Sequence, residues 1–212
     1  MSTPLDLVVF GRQPPSERLS FEEFLAWCDG ETLAEWVDGE VRSMSPTSRR
    51  DQRLLIFLTQ VLGIWIDQKG LGELHVETFL MRLPHRPSGR VPDLLFVARE
   101  HLDRIRPTYV DGPADLVIEI VSPDSDERDR EEKLREYEQA GIPEYWLLDP
   151  LYQRADFYQL GPDGRYRLVL GGRSGVYHSR ALGGLRLDIE WLWQDPLPNA
   201  LDLLRRLGLL PD

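Results

Sequence analysis

Two short, almost uninterrupted apolar runs limit what this chain can become. Val91-Pro92-Asp93-Leu94-Leu95-Phe96-Val97 and Asp115-Leu116-Val117-Ile118-Glu119-Ile120-Val121 lack the apolar–polar alternation of a half-solvated strand. Runs of this length and composition suit central strands of a sheet covered on both faces. Inside each run one carboxylate, Asp93 or Glu119, sits among apolar neighbours. A buried charge is costly unless it is paired or bound to a metal. These two acids therefore need partners.

The surrounding pattern supplies a frame. Ser20-Phe21-Glu22-Glu23 matches a capping box and starts a short helix reaching about Asp29. Leu33–Val37 and Glu40–Met44 flank Asp38-Gly39, a hairpin signal. After Ser48, the residues Leu54, Leu55, Leu58, Val61, Leu62, Trp65 and Ile66 recur at helical spacing up to Gly70. Strands are predicted at about 74–83, 91–98 and 115–121, and a helix from about Ser125 to Ala140, stopped by Gly141 and Pro143. Glu144–Leu148 reads as a further strand. The runs 153–160 and 165–170 form a hairpin around Gly161-Pro162-Asp163-Gly164, and a last helix spans Ala200–Leu207. Residues 1–18, with Pro4, Pro14 and Pro15, read as a loose arm. Residues 19–212 read as one α/β domain, with a core over about 20–150 and a β-rich extension over 151–212.

Composition narrows the function. A chain of 212 residues can bury a real core, and its one cysteine, Cys28, excludes an internal disulfide and a cysteine-based zinc site. The longest apolar runs, such as Leu54–Leu58, are far shorter than a membrane span. No basic stretch followed by an apolar one opens the chain, so no secretion signal is expected and a cytoplasmic location is the default. A net charge of −11 argues against coating nucleic acid through bulk attraction. Local basic clusters exist nonetheless, at Arg49, Arg50, Arg53 and at Arg82, His85, Arg86, Arg90.

Asp93 and Glu119 lie 26 positions apart, enough for neighbouring strands. Two carboxylates brought together repel, so one keeps a proton or a divalent cation neutralises both. Oxygen ligands suit Mg²⁺ or Mn²⁺, which can activate water and stabilise charge on a phosphodiester. Lys133 follows Glu119 by 14 positions, on the next helix, with Asp129 and Tyr137 on the same helical face. Plainer readings stand beside these. Pro92-Asp93 alone is a turn former; Glu119 could pair with Arg90 or Arg128; Lys133 could form a surface pair with Asp129. Glu35 could sit on a solvated edge, and Asp129 could be a helix-start charge. Tyr145 and Trp146 read as core or subunit contact, and His75, His85, His101 and His178 show no metal-ligand spacing.

The order of these segments resembles the PD-(D/E)XK nuclease superfamily and, within it, the Uma2 branch. The resemblance is carried by Glu35-Trp36-Val37-Asp38-Gly39-Glu40, Met44-Ser45-Pro46, Val91-Pro92-Asp93 and Leu116 through Pro123. It continues through Arg128-Asp129 to Lys133 and Tyr137, and closes with Gly141 through Pro150. It implies a restriction-endonuclease-like α/β fold: a three-layer core with a mixed β-sheet and a β-rich C-terminal extension. It further implies Asp93 and Glu119 as metal ligands, Glu35 as an additional acidic ligand and Lys133 as the catalytic ammonium. Mg²⁺ or Mn²⁺ would be the cofactor, DNA the substrate and a homodimer the assembly. Two departures stand out. Val121 occupies the strand position where the parent pattern has lysine, and the start of the long helix, at Arg50 and Asp51, lacks an expected histidine. Metal-dependent DNA cleavage is the leading expectation. A nuclease-like module that has lost cleavage, or an interaction protein using Trp146, Trp191 and Trp193, are the alternatives.

Overall fold

The computed structural model describes residues 13–28, 34–44, 47–83, 87–121 and 128–209, and the side chains among these except those of 128–130. Most of the N-terminal arm, Ser45-Pro46, His85, Arg86, Ser122-Pro123 and the side chains of Arg128 and Asp129 lie outside that description.

The first elements follow from local chemistry. Helix α1 (Phe21–Trp27) opens with the predicted Ser20/Glu23 capping box. Strands β1 (Ala34–Val37) and β2 (Glu40–Ser43) pair across Asp38-Gly39, both at positive φ, as a tight primed turn requires. Helix α2 (Arg49–Lys69) begins at a second capping box, Ser48 with Asp51, and ends at Gly70 in the left-handed region.

The stretch read as one strand over 74–83 is instead two, β3 (Gly72–Val76) and β4 (Leu80–Leu83), in different sheets. The break is a turn at Glu77-Thr78, where Thr78 holds a φ of 80°. Strand β5 (Ser88–Arg90) then leads through Val91-Pro92 into β6 (Leu94–Ala98), and β7 (Tyr109–Asp111) precedes β8 (Leu116–Ile120). A π-helical turn, Arg128–Lys133, runs into α3 (Leu134–Ala140), so the helix expected from 125 is wider and less regular in its first described part. Strands β9 (Glu144–Asp149), β10 (Arg154–Leu160) and β11 (Tyr166–Gly172) form a meander. A ribbon of β12 (Val176–His178) and β13 (Arg186–Asp188), a 3₁₀ turn at Ile189–Trp193 and α4 (Ala200–Arg206) complete the extension.

The main sheet has the order β11-β10-β9-β8-β6-β3, with β8 and β9 parallel and its other pairs antiparallel. Side-chain alternation divides it into two buried faces. Leu94, Phe96, Leu116, Ile118, Trp146 and Leu148 pack with α2 and the C-terminal extension. Leu95, Val97, Val117, Tyr145 and Leu147 pack on the other face with Tyr137 of α3. These are the three expected layers. The second sheet, β2-β1-β5-β4-β7, was not anticipated; its outer face packs on Phe21 and Phe24 of α1.

Phe96 is fully buried at the centre of the larger core. Phe96→Ala is expected to lower unfolding stability by about 3–5 kcal/mol, measured by urea denaturation.

Candidate active site

The chain crosses from the second sheet to the main one at Val91–Asp93, and the charged residues collect around that crossing. Glu35 on β1 and Arg90 on β5 come from one sheet, and Glu119 on β8 from the other. The helical segment beyond β8 supplies Glu132, Lys133, Glu136 and Tyr137. In the β6–β8 register Leu94 faces Ile118 and Leu95 faces Val117. Extending that ladder by one position sets Asp93 opposite Glu119, with both side chains toward the α3 face.

Within the cluster, Lys133 Nζ donates to Glu119 Oε1 at 2.8 Å and lies 3.4 Å from Glu35 Oε1. Tyr137 Oη donates to the same Glu119 oxygen at 2.8 Å. Asp93 Oδ2 accepts the Ile120 amide at 2.5 Å, which fixes its carboxylate at the strand end. Arg90 forms the second hub. Its guanidinium reaches Glu35 Oε2 at 3.1 Å, Glu132 Oε1 at 2.6 Å and Glu136 Oε2 at 2.6 Å. Ser88 donates to the other oxygen of Glu136, and Arg42 reaches Glu132 at 3.2 Å. Arg90 and Glu136 are fully enclosed, while Glu35, Glu119 and Lys133 expose 3% of their surface or less.

Burial shapes the ionisation. It opposes the charge of Arg90, but the Glu35 and Glu136 carboxylates outweigh it and raise its pKa. Burial and the Glu119 charge push the Tyr137 phenol far above its usual range, so it remains a hydrogen-bond donor. Burial also raises Glu77, beside Asp93, against the opposing bond from Gln52. For Glu132 burial raises the pKa, yet the bond and charge of Arg90 and Arg42 prevail and lower it.

Several plainer sequence readings give way. Lys133 is not a solvated surface lysine and Glu35 is not on a solvated edge; both are buried. Arg90 was expected, if anything, as a partner of Glu119, but its ion pairs run to Glu35, Glu132 and Glu136. Glu132, Glu136 and Ser88 were missed as members of the cluster, and Arg90 was weighed only as a partner of Glu119. A signal was present: Glu132 and Glu136 repeat at i, i+4 one position ahead of Lys133 and Tyr137, giving one helical side two adjacent polar rows. Trp146 is fully buried, its indole donating to Glu144 at 2.7 Å, so it offers no self-association surface. His101 pairs with Asp115 at 2.8 Å, and His75 stacks on Phe79 with its pKa lowered by burial against Glu73.

The cluster's acidic donors are oxygen atoms, the ligand type that Mg²⁺ and Mn²⁺ take. Its described side chains hold five carboxylates (Glu35, Asp93, Glu119, Glu132, Glu136) against the cations Arg42, Arg90 and Lys133, a formal surplus of negative charge. Among the described residues no group of three or more acidic, histidine or cysteine side chains is placed so that it could hold a metal ion. Mg²⁺ needs only one or two carboxylates, because water and substrate phosphates complete its sphere.

The mixed α/β core thus gathers Asp93, before β6, and Glu119, near the end of β8, with Lys133 of the following helical segment. The Uma2 family, described as "Putative restriction endonuclease", matches residues 21–190, and the chain belongs to it. A solved structure from Anabaena variabilis, described as a "putative nuclease belonging to DUF820", shares the fold with a TM-score of 0.67 at 18% identity, covering 82% of this chain and 97% of that one. Comparison with curated proteins gave no match. Among the described residues no helix is long and apolar enough to cross a membrane.

Two outcomes are expected. Arg90→Met removes the guanidinium that the buried Glu35 and Glu136 share and costs about 3–5 kcal/mol in urea unfolding. Glu132 has a folded pKa below the ordinary 4.5, so its stabilisation is present above pH 4.5 and is lost as pH falls below it. Glu132→Gln therefore flattens the acid side of a stability–pH profile.

Proposed function

We propose that this protein is a divalent-metal-dependent endonuclease that hydrolyses phosphodiester bonds in DNA. The observation that carries the reading is the buried contact of Lys133 Nζ with Glu119, on the strand face that Asp93 shares. A hydrolytic site for phosphodiesters needs hard oxygen ligands beside a fixed cationic donor. In this reading Asp93 and Glu119 hold Mg²⁺ or Mn²⁺, with Glu35 as the further acid. When bound, the ion lowers the pKa of water and offsets charge on the phosphate.

The chain's own residues then divide the work. Lys133 donates hydrogen bonds to the attacking water or to the phosphate oxygen on which charge builds. Tyr137 is a positioning residue, since its hydroxyl fixes the Glu119 oxygen that also receives the Lys133 bond. Arg90 aligns Glu35 from behind. By analogy with restriction-type enzymes the proposal extends to a homodimer acting in the cytoplasm.

One observation favours a second reading, a nuclease-like binding module without cleavage. The Lys133 ammonium already bridges Glu119 and Glu35, as a neutralising ion would. The two readings separate in one set of experiments. Under the enzyme reading, plasmid DNA is nicked with Mg²⁺ or Mn²⁺, EDTA stops it, and Asp93→Asn or Glu119→Gln lowers the rate at least about 100-fold while circular dichroism is unchanged. Lys133→Arg retains more activity than Lys133→Met, and calorimetry shows Mn²⁺ binding that Asp93→Asn weakens. Undiminished cleavage in the Asp93 and Glu119 variants would falsify the assignment.

A further inference from the structure

A second feature at the same end of the molecule is untouched by this chemistry. The first turn of α2 and the 3₁₀ turn at Ile189–Trp193 enclose a cleft of about 440 Å³. Arg49, Arg50 and Arg53 line one side, and Trp193 and Gln194 the other, with Gln153 at the β9–β10 turn. Arg53 is held by Asp195 at 3.0 Å. Among the described residues Arg49 and Arg50 have no carboxylate partner, and both are exposed. In a chain of net charge −11, three guanidinium groups facing one carboxylate form a local inversion of the field.

We propose that this cleft grips a phosphodiester strand of nucleic acid, its phosphates on Arg49, Arg50 and Arg53 and a base against Trp193. Arginines following a backbone beside a half-exposed aromatic ring are the two components of strand binding without sequence preference. The indole N–H of Trp193 donates to Arg173 O at 3.1 Å, which fixes the ring as a platform. Gln153 is held at a positive φ of 51° and adds an amide at the cleft wall. The adjoining hollow is lined by Asp188 and Glu190 together with Arg173.

Hydrogen bonds connect the first turns of α2 to the strand end that bears Asp93. Gln52, on the same helical turn as the arginines, donates to Glu77 at 3.2 Å, and the Glu77 amide bonds the Asp93 carbonyl at 3.0 Å. One turn of α2 thus stands between the cleft and the strand end bearing Asp93. This inference deepens the nuclease reading, on which its orientation toward Asp93 rests, by assigning the surface that holds the flanking strand.

The test reads binding alone. Anisotropy of a fluorescein-labelled oligothymidylate is measured in EDTA, which prevents cleavage, for the wild type and for Arg49→Glu/Arg50→Glu. The paired variant is expected to bind at least tenfold more weakly. Its slope of log affinity against log salt should be shallower by about one to two, near the 0.7 per phosphate contact of single strands. Strand binding that depends on Arg49 and Arg50 in a protein without nuclease activity still supports the cleft. Inorganic phosphate and thymidine monophosphate should compete only at far higher concentration than unlabelled strand. Equal binding by the paired variant with unchanged circular dichroism overturns the proposal, as does competition by phosphate as effective as by the strand.

Discussion

The structure depends on a buried charge network in which Arg90 and Lys133 bind carboxylates from two sheets and one helix. Removing that many charges from water is unfavourable by several kcal/mol per ion, and only dense pairing offsets it. The geometry is accordingly multidentate: Arg90 meets three glutamates, and Glu119 receives both an ammonium and a phenol on one oxygen. Such a network ties together pieces distant in sequence. It joins β1 and β5 to β8 and holds the π-turn and α3 against the main sheet.

Around this polar centre the packing is ordinary, which gives the centre its rigidity. The two faces of the main sheet are sealed by separate apolar clusters. Glu144 shows how a buried acid can be purely structural: it accepts from Trp146, from the Arg180 amide at 2.9 Å and from the Ala181 amide at 3.0 Å. Those bonds moor the C-terminal extension to β9. Glu119, Glu132 and Glu136 of the candidate site differ because their partners include cations and hydroxyl groups. The π-turn that ends at Lys133 adds to the contrast, since such wide turns are rare and concentrate at functional sites.

Much of the frame was legible in sequence because it is decided locally. The capping box at Ser20, the Asp38-Gly39 turn, the α2 stripe and the apolar strands each follow from a few neighbouring residues. The break at Thr78 was not legible, because Leu80–Leu83 satisfies the pattern of a continued strand equally well. The second sheet was hidden for a related reason. Its strands are three or four residues long in the described structure, and their pairings, such as β1 with β5, join residues some fifty positions apart.

The site divides along the same line. Sequence alone marked Asp93 and Glu119 as charges in apolar strands, and it placed Lys133 and Tyr137 on one helical side, since periodicity is a property of the local chain. Only the tertiary structure decided which cation serves which acid. Lys133 could have met Asp129 on its own helix, yet its amine is buried against Glu119 and Glu35, while Arg90 turns to Glu35, Glu132 and Glu136. Ion pairing between distant elements is set by how sheets and helices stack and by which side chains that stacking removes from water, and no local pattern encodes either.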